Sequence, residues 1–262
     1  MPVDINCDMG ESFGAYEIGA DDAVLPYITS ANIACGFHGG DPAVMRKTVA
    51  AASKLGVAIG AHPSLPDLVG FGRRAMQVTP QEVYDLMIYQ IGALLGFTRA
   101  AGVALRHVKP HGALYNMAAA QPPLADAIAK AVRDVDAELI LFGLAGNYML
   151  TVAERAGIRA ASEVFADRNY LKDGALVPRS RPDAMVHDVH EAVRRAIRMV
   201  RDGVVADVEG NDMPIRADTI CVHGDGPHAP AIARALREGF TASGIQVAPI
   251  SQRSANAQPR PG

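Results

Sequence analysis

Short apolar runs alternate along this chain with longer stretches whose apolar residues recur every three or four positions. The runs lie at 3–8 (VDINCD), 30–35 (SANIAC), 57–62 (VAIGAH), 104–109 (ALRHVK), 138–143 (ELILFG), 160–165 (AASEVF), 219–223 (TICVH) and 245–250 (IQVAPI). Their length and composition predict strands. The longer periodicity predicts helices over roughly 42–55, 123–134, 147–156, 183–202 and 228–242, most ending at or near a glycine. The clearest helix opens at Thr79-Pro80-Gln81-Glu82 and stops near Gly102. There the Thr79 hydroxyl can cap the third amide, Glu82 can reach back, and Pro80 sits where a missing N–H costs nothing.

Strand and helix alternating about seven times implies parallel strands joined by crossover helices. A closed or nearly closed (β/α) barrel of seven or eight strands is the first expectation. A doubly wound open sheet is the competitor, because periodicity does not report closure. The segment 203–218 (GVVADVEGNDMPIRAD) breaks the rhythm and reads as a hairpin turning at Gly210-Asn211. Residues 1–250 are expected to form a single barrel domain, and 251–262 a polar, Pro-bearing, disordered tail.

Parity along each strand says which side chains share a face. Asn6 and Asp8 lie together, opposite Ile5 and Cys7. Asn32, Ala34, Gly36 and His38 share a face, as do Ala58, Gly60 and His62. His107, Lys109 and His111 align, and so do Cys221, His223 and Asp225. Five of the eight histidines therefore fall at or just beyond strand C-termini, the end where barrels and open α/β sheets build their sites. Any one of them alone reads as a structural histidine. Their coincidence across four strands, with Asp8 and Lys109, points to a shared site. The small residues on the same faces leave room either for a ligand or for larger neighbours.

Composition narrows the classes of function. The 262 residues, 49% of them apolar, suffice for one large α/β domain. A net charge of −3, with acids and bases interspersed and no basic stripe, argues against nucleic acid as a partner. No apolar run approaches the roughly 20 residues of a membrane helix, and MPVDINCDMGE enters a strand without a signal-peptide pattern. The chain therefore reads as cytoplasmic. Cys7, Cys35 and Cys221 are odd in number and form no C-x-x-C pair, which favours buried reduced thiols.

Three glycine-bearing turns open helices: GFHGGDP (36–42), GLAGN (143–147) and HGDGPHAP (223–230). Free amides at such helix starts favour anions, and the turn after the seventh strand is the best candidate. No G-x-x-x-x-G-K-[ST] occurs, so no P-loop is present. The loops 63–78 and 167–181 carry Arg73, Arg74, Arg168 and Lys172, which either bind an anion above the strand ends or are solvated loop charges. His187 and His190 share a helix with Asp188 and Glu191 and read as a surface face.

Taken together, INCDMGESFG (5–14), SANIACGFHGGDP (30–42), GAHPS (60–64), VKPHGALYN (108–116), EVFADRNY (163–170), LVPRS (176–180) and DTICVHGD (218–225) resemble the LamB/YcsF family. The resemblance runs from about residue 3 to 250. It implies a (β/α) barrel related to the carbohydrate deacetylase barrels. It further implies ATP-dependent opening of the lactam 5-oxo-L-proline to L-glutamate, with ATP (and Mg2+) as co-substrate and subunits B and C as partners. A homo-oligomer is compatible with this.

Opening a lactam needs carbonyl activation, which ATP can supply by phosphorylating the carbonyl oxygen. The catalytic candidates are Asp8, His38, His62, Lys109, His111, Glu163, His223 and Asp225. Asp8 and Asp225 would act as bases, or as a base and an acid, and Glu163 as a further acid. Lys109, with His62 or His111, would stabilise an oxyanion. Arg168, Gly224 and Gly226 would hold phosphate or the substrate carboxylate, with Asn6, Glu11 and Asn32 as further binding candidates. The main rival is a metal-dependent deacetylase or amidohydrolase using Asp8, His38, His62 and His111 as ligand types. A non-catalytic scaffold is the third reading, disfavoured because burying so many ionisable groups at one rim costs free energy.

Overall fold

The computed structural model describes residues 2–224, 226 and 229–251. In chain order the strands are β1 (Asp4–Met9), β2 (Ser30–Ala34), β3 (Ala58–His62), β4 (Leu105–Val108), β5 (Ile140–Leu144), β6 (Arg159–Phe165), β7 (Val204–Ala206), β8 (Asp212–Pro214) and β9 (Thr219–Val222). Seven of them close a parallel barrel in the order β1-β2-β3-β4-β5-β6-β9. The remaining two, β7 and β8, pair antiparallel, with Gly210 at positive φ (87°) in the turn between them.

The helices are α1 (Asp21–Val24), α2 (Pro42–Lys54), α3 (Pro80–Ala100), α4 (Gly112–Ala120), α5 (Pro122–Val135), α6 (Tyr148–Arg155), α7 (Val189–Arg201) and α8 (Ala229–Ala242). At the start of α3, Thr79 and Glu82 exchange both hydrogen bonds of a capping box. Among the described residues no helix is long and apolar enough to cross a membrane.

Two sequence expectations need correction. The run 245–250 is not an eighth strand: it meets β1's neighbour Val3 through one bridge at Val247. Both edges of β1 are already taken by β2 and β9, so no ladder is open to it. Nor does the helix predicted from residue 183 begin there, since Asp188 caps it by accepting from the Glu191 amide. The periodicity also gives no sign of α4, a nine-residue helix that runs into α5 with only Gln121 between them.

Each strand turns one face outward to the helices and one inward. Ile5, Cys7, Ile33, Ala61, Val108, Val164 and Ile220 join α3 residues such as Met87, Ile91 and Leu94 in one buried cluster. A separate inner cluster, Ile140, Phe142 and Ala161, is small. The rest of the interior is polar, unlike the branched apolar layers that usually fill such a barrel. It contains buried Asp4, Asn6, Asn32, His107, Lys109, Glu163 and Thr219.

Register explains how these fit. Asn32 lies beside Asp8 on one side and Gly60 on the other, and Gly60 beside His107. A Cβ on Gly60 would come within 2.1 Å of the His107 ring, so the glycine makes room for the imidazole. His107 stacks on Phe142 at 4.3 Å and its Nε2 donates to Asn32 Oδ1 (2.8 Å). Of the two readings of the small residues, Gly60 fits the one in which they yield to a larger neighbour.

At the barrel floor Asp4 accepts from the hydroxyls of Thr29 (2.6 Å), Ser30 (2.7 Å) and Thr219 (2.5 Å). Burial nevertheless outweighs these bonds and pushes its carboxyl from 3.8 up to about 6. Below 3.8 it is protonated in both folded and unfolded chains. Between 3.8 and about 6 the unfolded chain releases the proton first, so stability falls as pH rises, and above about 6 the penalty stays constant. An Asp4→Asn variant escapes this penalty, which totals about 3 kcal/mol. In urea titrations its stability relative to wild type should improve by roughly 1–1.5 kcal/mol between pH 5 and pH 8. A difference that does not move with pH would contradict the assignment.

Candidate active site at the barrel rim

A cavity of about 770 Å³ opens at the C-terminal ends of the strands. Asp8 near the end of β1, His62 at the end of β3, Lys109 just past β4, His111 before α4, and His223 past β9 all line it.

Lys109 is the electrostatic centre. Its buried Nζ lies 2.9 Å from Asp8 Oδ1 and 2.9 Å from Glu163 Oε1, with Asn6 Oδ1 at 3.3 Å and Cys221 Sγ at 3.1 Å. Burial pulls this ammonium down, but Asp8 and Glu163 outweigh it and hold Lys109 well above the usual lysine range. Burial likewise pushes Asp8 up, but His62 and Lys109 prevail and keep it well below the usual carboxylate range. Both partners are therefore charged. Asp8 Oδ1 also accepts from Asn32 Nδ2 (2.9 Å) and lies 3.3 Å from His62 Nε2. Glu163 Oε2 accepts from the Tyr115 hydroxyl at 2.7 Å.

Three imidazoles pack beside this pair. His62 Nδ1 donates to the Lys109 carbonyl (2.7 Å), and His111 Nε2 to the Phe71 carbonyl (2.9 Å). The other nitrogens, His62 Nε2 and His111 Nδ1, face each other at 2.9 Å. His38 stacks on His111 with centroids 3.7 Å apart and planes within 1°, and its Nε2 lies 3.2 Å from Glu11 Oε1. Burial and the neighbouring imidazoles hold both His38 and His111 well below the usual histidine range.

The loop 63–78 closes over these rings. Phe71 has positive φ (55°), uncommon for a residue with a side chain, and this conformation accompanies the carbonyl that His111 uses. Across the cavity His223 Nδ1 lies 2.8 Å from Asp167 Oδ2, and its ring stacks on Phe165 at 5.4 Å. Burial raises Asp167, but His223 outweighs it and leaves the carboxyl low. That dyad leaves His223 Nε2 as the nitrogen not engaged by the carboxylate.

The expected site residues thus sort by position. Asp8, His62, Lys109, His111, His223 and Arg168 line the cavity. His38, Glu163, Glu11, Asn6 and Asn32 lie behind its wall, where they hold the lining residues by the bonds above or stack on them. Glu11, Asn6 and Asn32, expected to bind substrate, take part in the buried network behind that wall. Gly224 packs against β1, where a Cβ would meet the Asp8 carbonyl at 2.3 Å, and neither it nor Gly226 lines the cavity. Asp225 lies outside the described residues.

In two of the glycine turns side chains take part of the amide set: Asp41 accepts from the Ala43 and Val44 amides at the start of α2, and Asn147 from the Met149 amide at the start of α6. Arg74 is turned aside by its pairing with Asp67 (Nε to Oδ1, 3.0 Å). Arg168 reaches the cavity but donates to the carbonyls of Val177 (2.6 Å) and Ala184 (3.4 Å). Arg73 and Arg179 also line it.

Sequence reasoning overlooked Asp167 and Arg179. The first was findable, since it stands just past the end of β6 inside a motif already singled out. The second also stands in a motif already singled out, LVPRS (176–180), but in an irregular loop where no strand parity gives its direction.

A closed seven-stranded (β/α) barrel carrying carboxylates, a buried lysine and histidines at its strand ends defines the class. Residues 3–255 match the model of the LamB/YcsF family, and the chain belongs to that family. It is 58% identical to the A subunit of 5-oxoprolinase from Bacillus subtilis (strain 168) over 96% of this chain and 98% of that one. The crystal structure of the lactam utilization protein from Thermus thermophilus superposes with a TM-score of 0.91 at 48% identity, covering 95% of this chain and 100% of that one. A family 4 carbohydrate esterase from Streptomyces lividans has a TM-score of 0.50 at 12% identity, covering 95% and 93%, and shares the fold alone.

Gly72 tests the packing of the rim. It has φ of 63°, and a Cβ there would lie 2.6 Å from Ser64 Oγ, 2.8 Å from His111 Cδ2 and 2.9 Å from His38 Cβ. Gly72→Ala should destabilise the fold by about 1–3 kcal/mol in urea titration and shift the ring resonances of His38 and His111 in NMR. Unchanged ring resonances would show that the loop does not press on the imidazoles.

Proposed function

We propose that this chain is the lactam-opening subunit of a cytoplasmic 5-oxoprolinase. It acts on 5-oxo-L-proline with ATP and water to give L-glutamate, ADP and phosphate, together with subunits B and C. The observation that carries this reading is 58% identity to the A subunit of a 5-oxoprolinase over nearly the whole chain. The rim supports it chemically, since it brings an ionised carboxylate, an Asp–His dyad and arginines to one cavity. Three buried free thiols suit a reducing compartment.

ATP, as its Mg2+ complex, supplies a phosphoryl group to the lactam oxygen, which makes the ring carbon electrophilic. Arg73, Arg168 and Arg179 provide positive charge for the substrate carboxylate and for phosphate. Asp8, locked as a carboxylate by Lys109, is a weak base but a strong hydrogen-bond acceptor, so its role is to orient the attacking water. His223 Nε2 takes that water's proton as oxygen bonds to carbon. The C–N bond then breaks as the new hydroxyl becomes the acyl carbonyl and gives up its proton to solvent, while the first proton passes from His223 to the leaving nitrogen, as one histidine serves both steps of acyl transfer. A second water hydrolyses the resulting acyl phosphate. Lys109, paired with Glu163, holds Asp8 in place.

Turnover is measured as ATP-dependent glutamate release with subunits B and C present. Asp8→Asn should keep the fold and lose more than about nine-tenths of the activity, a barrier of roughly 1.4 kcal/mol or more. Retention above a tenth would remove Asp8 from the mechanism. Asp167→Asn should lower kcat roughly 100-fold with little change in KM. A loss in thermal stability with kcat unchanged would make Asp167 merely structural. Calorimetric titration of the isolated chain with ATP locates the nucleotide; no heat here, with heat from the partners, places it on one of them.

A further inference from the structure

The imidazole group beside Lys109 has a property that the proposed chemistry does not use. Two rings have their outer N–H groups committed to backbone carbonyls, His62 Nδ1 to Lys109 and His111 Nε2 to Phe71. Each neutral imidazole has one N–H and one lone pair. With both rings neutral, the nitrogens left over, His62 Nε2 and His111 Nδ1, both present lone pairs, and they face each other at 2.9 Å. Two lone pairs at that distance repel unless a cation stands between or beside them.

A proton can join two nitrogens and no more. Here a third nitrogen and a carboxylate oxygen lie close to the same two nitrogens. Single ligand atoms of Glu11, His38, His62 and His111 all lie within 4.8 Å of one another, and all four residues are buried. Glu11 Oε1 is 3.2 Å from His38 Nε2 and 3.7 Å from His111 Nδ1. His38 Nδ1 is buried with no hydrogen-bond partner, so nothing on that side fixes the tautomer and Nε2 can offer its lone pair.

We propose that Glu11, His38, His62 and His111 form a metal site for a divalent first-row transition ion such as Zn2+ or Co2+. Three imidazoles and one carboxylate suit such an ion rather than Mg2+ or Ca2+, which take oxygen ligands. The separation of 2.9 Å between His62 Nε2 and His111 Nδ1 is close to that of two ligands at a right angle, each roughly 2.1 Å from one ion, and a tetrahedral ion would draw them apart to about 3.4 Å. Metal-bound histidines donate their other N–H to a carbonyl or carboxylate, and His62 and His111 already do so. These two line the cavity while His38 and Glu11 stand behind it, so the ion's open side faces the space where substrate enters.

This donor set differs in one member from Asp8, His38, His62 and His111, the ligand types suggested by the sequence. Asp8 lies near His62, but its Oδ1 is already shared by Lys109 and Asn32. Glu11 replaces it. The binding does not depend on which substrate the cavity takes, so its test needs no turnover.

The chain is stripped with a chelator, shown by circular dichroism to be folded, and dialysed against Zn2+ or Co2+ at about 10 μM. Wild type should retain about one ion per chain by elemental analysis, and the Co2+ form should show visible ligand-field absorption. His111→Ala and Glu11→Gln should each weaken binding, His111→Ala by at least about 100-fold, the upper range for losing even a supporting group. The Gln variant keeps the side-chain volume and guards against a folding artefact. A folded wild type that retains less than about a tenth of an ion per chain, with nitrogen NMR showing one proton shared by His62 and His111, would overturn the proposal. Equal retention by wild type and His111→Ala would overturn it too, by placing the ion elsewhere.

Discussion

A lysine ammonium buried inside a barrel is the constraint on which the other interior residues depend. Lys109 would be costly to bury alone, and its cost is offset only by two carboxylates at 2.9 Å, Asp8 from β1 and Glu163 from β6. Those carboxylates arrive from the two strands that flank β9, and Cys221 of β9 touches the same nitrogen. One charge thereby ties four strands at the end where the cavity opens. Removing either carboxylate leaves the remaining charges imbalanced in a low-dielectric interior, which is why their geometry is tightly determined.

The polar interior below is built to support that pair. Thr219 donates to Asp4 and accepts from Asn6 Nδ2 (2.7 Å), while Asn6 Oδ1 accepts from Asn32 and from Lys109. Asn32 reaches Asp8 above and His107 beside it. A hydrogen-bonded chain therefore runs from the barrel floor to its rim. Such a network stabilises only when each member is satisfied, and it leaves little freedom for the side chains facing the cavity. The rigidity at Asp8 and Lys109 contrasts with the irregular loops 63–78 and 167–181, which bring Arg73 and Arg179 to the same space.

Much of this organisation is legible in the sequence because strand parity is a strict two-residue rule. It puts Asn6 with Asp8, Gly60 with His62, and His107 with Lys109 and His111. The run 245–250 misleads because it has the composition of a strand but meets no open edge, and edges are a property of closure. Helix α4 escapes notice because GALYNMAAA follows β4 too closely to look like an element of its own. Asp167 shares its neighbours' position at a strand end, yet the sequence draws attention to Arg168 instead. Contact distances alone show that the carboxylate holds His223 while the guanidinium is spent partly on loop carbonyls.

By itself the sequence determined the strand–helix alternation, the polar face of each inner strand, the histidine-rich C-terminal rim and the family to which the chain belongs. These follow from local periodicity and from motifs, both of which are written along one dimension. Tertiary structure decided that seven strands close the barrel and that Glu163 and Asp8 share one lysine. It also turned His38 inward against Glu11, and set two imidazole lone pairs face to face. Each of those depends on distances between strands far apart in the chain. Only closure with its register sets such distances.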